Sequence, residues 1–197
     1  MPACYFCPSQ TPPSEIIDRI ETLNRDLARF WQAAHGWAPI EAAGLLSKAR
    51  LDWQVSLSSS LRNWVRDPPA ILSDGDLILA WTNLGALIEG TLKLFLSVYY
   101  DAFQADVENL KVAGAFDHRT QTSRSPDGLT LEPLRKYAAA RDLIGARGDA
   151  LVNLVQERRN AIHAFKTRPI GDSAEFWDAV RDYLDMLGNV DDRLPYP

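Results

Sequence analysis

The chain has 197 residues, of which 46% are hydrophobic and 24% charged, values typical of one globular domain with a buried core. Its net charge of −5 argues against broad, non-specific nucleic-acid binding, because such binding depends on many Lys and Arg side chains that release counterions. Any contact with RNA would therefore need a local basic patch.

Residues 1–13 are rich in proline and have no apolar periodicity, so we expect a flexible tail. Cys4 and Cys7 form a single Cys-x-x-Cys pair within it. A zinc site would need two further ligands from a chain with three histidines, so two reduced thiols are favoured over a metal. No charged region followed by an apolar run marks a signal peptide, and we expect a cytoplasmic protein.

Two helices are predicted in residues 14–67. The first begins with Ser14 as N-cap and stops at Gly36, a residue typical of the position after a helix. The second begins near Pro39 and ends at the Asp-Pro-Pro sequence of residues 67–69. Its expected buried stripe consists of Leu46, Trp53, Leu57, Leu61 and Trp64.

A central helix is predicted from about Asp74 to Gln104, with Ser73 and Asp76 resembling a capping box. Charged residues and two glycines interrupt its apolar run, so a buried helix is favoured over a membrane span, which needs roughly 20 largely uncharged residues. The expected inner stripe is Leu77, Trp81, Leu84, Ile88, Leu92, Phe95 and Tyr99.

Glu89 is the only acid inside that apolar run, and Lys93 follows it by four residues. This spacing and order favour a simple surface ion pair along the helix. A buried acid needs a partner, however, so Glu89 could instead bind an arginine of a neighbouring helix. Both interpretations stay open at this point.

Residues 114–128 are polar, contain turn residues at 125–128 and lack apolar periodicity, so a long loop is predicted. His118, Arg119 and Arg124 make an RNA-contacting flap one interpretation of this loop. A solvated loop without function is the favoured one.

A short helix is predicted from the cap residue Thr130 to about Leu143. The glycines of residues 145–148 predict a turn, and Asp149 is expected to cap the helix that follows.

The last helix is expected to begin at the capping box of Asp172 and Glu175 and to stop at Gly188. No strand pair, repeat or glycine-rich phosphate loop is predicted. The sequence thus indicates an all-α fold, a bundle of about six helices in a single domain over residues 14–194.

The segment from Glu157 to Phe165 places cationic and polar residues in an otherwise apolar helix. At about 100° per residue, Arg158 falls inside the expected inward stripe, and Arg159 and His163 lie together at its edge. That stripe consists of Leu151, Leu154, Val155, Ile162 and Phe165. A guanidinium in a core needs a carboxylate, a dimer interface or an anionic ligand, because arginine does not lose its charge. Function is therefore expected at this helix.

Arg158 and His163, with four residues between them and a polar residue after the arginine, resemble the Arg-x4-6-His motif of the HEPN superfamily. The motif also lies near the end of the penultimate predicted helix, where that family carries it. Members are small all-helical domains, and many are metal-independent endoribonucleases of toxin–antitoxin, abortive-infection and CRISPR-type defence systems. They assemble the site from two motif copies across a dimer interface. The resemblance covers residues 74–189.

Two departures from the family pattern affect what is carried over. The motif arginine is commonly followed by asparagine, whereas Arg158 is followed by Arg159 and then Asn160, so either arginine could be the functional one. Phe165 stands where toxins paired with minimal nucleotidyltransferase antitoxins carry a modified tyrosine, so regulation by that modification is not expected.

The resemblance implies an endoribonuclease in which His163 transfers protons and Arg158 or Arg159 binds phosphate oxygens. Asn160 would orient the substrate or the histidine, and Glu89, with Lys93 beside it, would fix an arginine. No metal or cofactor is expected. The implied partners are RNA, a second copy of the chain and an antitoxin or other protein; no membrane is expected.

Two other interpretations remain. From residue types alone, His163 is more simply a satisfied core or interface group, with Arg158 paired to Glu89. From the resemblance, the chain could instead be a non-catalytic HEPN-like module in which the arginines hold a nucleotide or a partner protein.

Overall fold

The computed structural model describes residues 11–66, 71–163, 165 and 167–196. Across these residues the chain forms nine α-helices, three short 3-10 turns and one pair of two-residue strands, so the predicted all-α class is confirmed. The helices are α1 (Pro13–Trp31), α2 (Ile40–Lys48), α3 (Leu51–Ser60), α4 (Asp74–Val98), α5 (Tyr100–Ala105), α6 (Val107–Ala113), α7 (Leu131–Ala140), α8 (Gly145–Arg159) and α9 (Ser173–Asp191). None of the described helices is long and apolar enough to cross a membrane.

The amino-terminal helix begins at Pro13 and has Pro12, rather than the predicted Ser14, at its N-cap. Proline suits this first turn because its fixed φ is already helical and its missing N–H would have no partner there. Residues 1–10, which include Cys4 and Cys7, lie outside the described residues. The prediction that these cysteines are reduced thiols and not metal ligands therefore stays a prediction.

The second predicted helix is broken into α2, α3 and a 3-10 turn over Leu61–Trp64. Ala49 is extended, with ψ 132°, and Arg50 has ψ 63°, so the backbone leaves helical geometry at these two residues. The break changes the direction of the buried stripe, and Trp53, predicted to be buried, is 57% exposed. The predicted stop at residues 67–69 lies outside the described residues.

The central helix α4 begins as predicted, with the Ser73 hydroxyl accepting the Asp76 N–H at 3.2 Å. It ends at Val98, six residues before the predicted end, and α5 resumes after Tyr99. The predicted inner stripe is buried from Leu77 to Phe95, whereas Tyr99 is half-buried. The helix packs against α2, α3, α7, α8 and α9, and therefore forms the centre of the bundle.

The predicted loop contains an unpredicted antiparallel pair, β1 (Phe116–Asp117) and β2 (Thr122–Ser123). Strands of two residues are too short to give an alternating sequence pattern, which explains the incorrect prediction. His118 packs edge-to-face on Phe116 at 5.5 Å between ring centroids.

Helix α8 begins at Gly145, so the turn predicted at residues 145–148 is helical and Asp149 does not cap it. Helix α9 begins as predicted, because Asp172 Oδ1 accepts the Glu175 N–H at 2.9 Å. It continues past Gly188 to Asp191. Gly188 is buried inside α9, so it does not end the helix.

One cluster of buried apolar side chains runs through the bundle from Ile16 of α1 to Leu187 of α9. Trp81 of α4 packs edge-to-face on Phe176 of α9, with ring centroids 5.2 Å apart. The first three helices therefore share a core with the helices that carry the motif.

Candidate functional site

The motif segment does not lie on one continuous helix. Helix α8 ends at Arg159, a 3-10 turn follows over Asn160–Ile162, and His163 has φ −85° and ψ 89°. The 100° projection therefore no longer applies beyond Arg159. Ile162 is 47% exposed and Phe165 is fully exposed, so their predicted place in the inward stripe is wrong.

Arg158 forms a bidentate ion pair with Glu175 of α9. Its Nε donates to Glu175 Oε2 and its Nη2 to Oε1, both at 2.9 Å. Its Nη1 donates to the carbonyl of Pro169 at 3.4 Å, and the side chain is only 14% exposed. The carboxylate of Glu175 raises the pKa of Arg158 above its ordinary value. The suggested pairing of Arg158 with Glu89 is therefore wrong.

The connection between α8 and α9 is shaped around this ion pair. Gly171 has φ +69°, and a Cβ there would overlap Glu175 Oε2 and lie 3.2 Å from Arg158 Nε. Trp81 Nε1 donates to the carbonyl of the adjacent Ile170 at 2.7 Å. We call Arg158, Glu175 and Gly171 the Arg158 anchor, since they attach this connection to the bundle.

Arg159 contacts a different helix. Its Nη1 donates to Glu89 Oε2 of α4 at 3.1 Å, and Lys93 Nζ donates to Glu89 Oε1 at 2.9 Å. The predicted contact between Glu89 and one of the arginines is present, and so is the Glu89–Lys93 pair. One carboxylate thus faces two cations, which leaves positive charge available for an anionic ligand.

The methylene groups of Arg159 lie directly on the surface of α4. A Cβ at Gly85 would approach Arg159 Cδ to 2.6 Å, closer than side chains pack. The glycine therefore allows the guanidinium to reach Glu89 one helical turn further along α4.

A cleft of about 580 Å³ opens beside this ion pair, between α2 and α3 on one side and α4 with the end of α8 on the other. Arg159, Asn160, His163, Glu89 and Lys93 all line it. The structure therefore brings together every predicted site residue except Arg158.

His163 lies at the exposed end of this group. Among the described residues, none hydrogen-bonds to its imidazole or to the side-chain amide of Asn160. A histidine that can take or give a proton must have a ring nitrogen open to its substrate, and this one is accessible.

The opposite wall contains residues that the sequence analysis missed as site residues. Lys48, Arg50 and Trp53 line the cleft from the α2–α3 break. The available sequence signal for this part of the site was two cations and an aromatic residue within six positions. It was missed because the predicted continuous helix would have directed these side chains to different faces.

The polar loop contributes to the cleft through Asp127 and not through its basic residues. Arg124 Nη2 donates to the carbonyl of Gly128 at 3.1 Å, while His118 packs on Phe116. The lining residues of the cleft do not include His118, Arg119 or Arg124. The structure therefore does not place the predicted RNA-contacting flap at this cleft.

Within the described part of the chain, no three His, Cys, Asp or Glu side chains are grouped so that they could hold a metal ion. The cleft contains instead cations, the shared carboxylate of Glu89, the carboxylate of Asp127 and an accessible imidazole. It can bind an anion and exchange a proton with it.

Comparisons with protein-family models, with curated proteins and with solved structures found no significant match for this chain. Fold and site together define an all-α protein with a cationic cleft at the end of its penultimate helix. The HEPN resemblance depends on the motif residues and their position in the chain.

Proposed function

We propose that this protein is a HEPN-like, metal-independent endoribonuclease that acts in the cytoplasm as a toxin or phage-defence effector. The observation that carries the proposal is the common cleft of Arg159, Asn160 and His163. Metal-free RNA cleavage needs proton transfer at two oxygens and stabilisation of charge on the phosphate, and these residue types supply both.

In the proposed reaction the 2′-oxygen attacks the adjacent phosphorus while one His163 removes its proton. The bond from phosphorus to the 5′-oxygen breaks, and a second His163 protonates that leaving oxygen. The products are a 2′,3′-cyclic phosphate and a 5′-hydroxyl. Arg159 binds the non-bridging oxygens through the nitrogens that Glu89 leaves free, and Asn160 orients the substrate.

The phosphate-binding role falls to Arg159 because Glu175 already occupies Nε and Nη2 of Arg158. Three residues separate Arg159 from His163, one fewer than the shortest HEPN spacing, whereas Arg158 has the matching spacing. The proposed site thus resembles the family in residue types and position, and departs from it in the arginine used.

A second copy of the chain is part of this proposal, since the cleft of one chain holds a single histidine. A dimer interface is not needed to satisfy the charges of Arg158 and Arg159, because Glu175 and Glu89 pair with them. What now supports a two-fold dimer is the exposed apolar pair Ile162 and Phe165 on either side of His163.

The dimer is tested by Ile162→Asp with Phe165→Asp, and Val112→Asp on α6, 74% exposed, is the matched control. The double variant should be monomeric in solution scattering and should lose cleavage, while the control stays dimeric and active. Monomeric wild-type protein at micromolar concentration would exclude the dimer.

Catalysis is tested with purified protein and single-stranded RNA in excess EDTA. Cleavage with 2′,3′-cyclic phosphate ends is expected, and His163→Ala should lower its rate by about 10²–10⁴-fold. The control is His35→Ala, which alters an exposed histidine outside the cleft. Unchanged cleavage by His163→Ala would contradict the assignment.

The second candidate function is a non-catalytic HEPN-like module that binds a nucleotide or a partner protein. It is favoured by the single proton-transfer group in each cleft and by the two acids, Glu89 and Asp127, beside the cations. Binding of RNA without cleavage would select it. A neighbouring reading frame that encodes an antitoxin would favour the toxin.

A further inference from the structure

The wall of the cleft opposite Arg159 has an exposed aromatic ring with a fixed cation on it. Trp53 is 57% exposed, whereas Trp31 and Trp81 are 1% and 0% exposed. The Arg50 guanidinium lies 4.1 Å from the centre of the Trp53 ring. Asp52 holds that guanidinium through Nε at 2.8 Å and Nη2 at 2.6 Å. The stack is therefore oriented, and its indole remains open to a ligand.

This wall is attached firmly to the central helix. Gln54 Nε2 donates to the carbonyl of Leu87 at 3.0 Å, and a Cβ at Gly90 would overlap the Gln54 amide. Gly90 thus lets α3 approach α4 closely next to Trp53. Rigid aromatic surfaces bind planar ligands well because little conformational entropy is lost.

Both walls rest on the central helix α4: Arg159 packs on Gly85, and Gln54, next to Trp53, packs on Gly90. The cleft of about 580 Å³ between them has the volume of a small-ligand site. The cleft is lined by four Lys or Arg side chains and two carboxylates, although the chain as a whole has a net charge of −5.

We propose that Trp53, backed by Arg50, is a nucleobase-binding subsite for single-stranded RNA whose phosphate is bound by Arg159 and Lys93. An unpaired base stacks on the indole, and the cations across the cleft hold the phosphate attached to it. A base inside a duplex is unavailable for this contact, so the substrate class is RNA with an unpaired base. The inference rests on the proposed function for the choice of RNA, but base binding itself requires no cleavage.

The test uses two uncleavable probes: a short, fluorescently labelled 2′-O-methyl oligonucleotide, and a sugar–phosphate chain of equal length without bases. Methylation of the 2′-oxygen removes the attacking group, so binding is measured apart from catalysis. The variants are Trp53→Leu, the conservative Trp53→Phe, and the control Trp37→Leu, which alters a tryptophan that is 45% exposed outside the cleft.

Wild-type protein should bind the base-containing probe at least about tenfold more tightly than the baseless chain. Tenfold corresponds to about 1.4 kcal/mol, which is near the lower end of the free energy of base–aromatic stacking. Trp53→Leu should bind both probes equally, Trp53→Phe should keep most of the preference, and Trp37→Leu should keep all of it. On a cleavable RNA, Trp53→Leu should raise KM with little change in kcat, since base stacking is present before and during the reaction.

Retention of the base preference in Trp53→Leu, with circular dichroism unchanged, would overturn the subsite. A wild-type protein that binds neither probe would overturn it too. If wild-type protein binds the first probe through Trp53 but cleaves no RNA, the subsite stands and the ribonuclease proposal fails. If wild-type protein cleaves RNA and Trp53→Leu behaves like wild type in binding and KM, the ribonuclease proposal stands and the subsite fails.

Discussion

Arg158 and Arg159 are adjacent in the chain but occupy two different environments. Arg158 is 14% exposed and has both Nε and Nη2 bound to Glu175 of α9. Arg159 is 26% exposed and uses Nη1 on Glu89, which it shares with Lys93. Because neighbours on a helix point about 100° apart, one arginine faces α9 and the other faces the cleft. In our proposal Arg158 therefore stabilises the fold, whereas Arg159, with the same side-chain chemistry, binds the ligand.

The largest effect should separate the two arginines. Arg159→Met should lower RNA cleavage by about 100-fold or more, since a charge that contacts the transition state is lost, with little change in stability. Arg158→Met should leave Glu175 without its partner and cost about 2 kcal/mol of unfolding free energy, with cleavage retained below the melting temperature. Single-turnover cleavage and urea unfolding measure the two effects. If Arg158→Met abolishes cleavage in fully folded protein, the roles are reversed.

The next effect tests the Arg158 anchor through its backbone. Gly171→Ala should destabilise the protein by about 2–3 kcal/mol, because strain at φ +69° adds to displacement of the Glu175 carboxylate. Gly145→Ala is the matched control: its φ is +67°, but nothing lies within 4 Å of the added Cβ, so only the strain of about 1 kcal/mol remains. Equal losses for both variants in urea unfolding would mean that the ion pair contributes nothing.

A smaller effect is expected at the shared carboxylate. Glu89→Gln removes the charge that orients Arg159 and should lower cleavage about tenfold or more while fold and dimer persist. The control is Glu108→Gln, since Glu108 pairs with Lys111 at 3.0 Å on the surface and is 86% exposed. If both variants cleave RNA like wild type, Glu89 is only a helix-surface partner of Lys93.

The smallest effect should come from steric displacement of Arg159. Gly85→Ala introduces a Cβ 2.6 Å from Arg159 Cδ and should lower cleavage several-fold, because the side chain must move away from Glu89. Gly75→Ala lies in the first turn of the same helix with only Ser73 Oγ at 4.0 Å, so cleavage should be unchanged. An inactive Gly75→Ala, or a fully active Gly85→Ala, would contradict the placement of Arg159.

Local sequence signals predicted the elements that depend on local interactions. The caps at Ser73 and Asp172 were predicted because cap and backbone N–H lie three residues apart in the chain. The apolar period of α4 likewise predicted its buried face. The breaks at Ala49, Tyr99 and Asn160 were missed, since no proline or exposed glycine marks them.

Residue types and apolar periodicity were enough to predict the helical class, the central helix and the segment of Arg158, Arg159, Asn160 and His163 as one that needs partners. The tertiary structure was needed to show which carboxylate each arginine receives, since Glu175 and Glu89 reach them from separate helices. It also decided that Trp53 faces the cleft, because the backbone at Ala49 and Arg50 leaves the helix. Helical periodicity fixes the direction of a side chain only while the helix continues, and the partner it meets depends on how the helices pack.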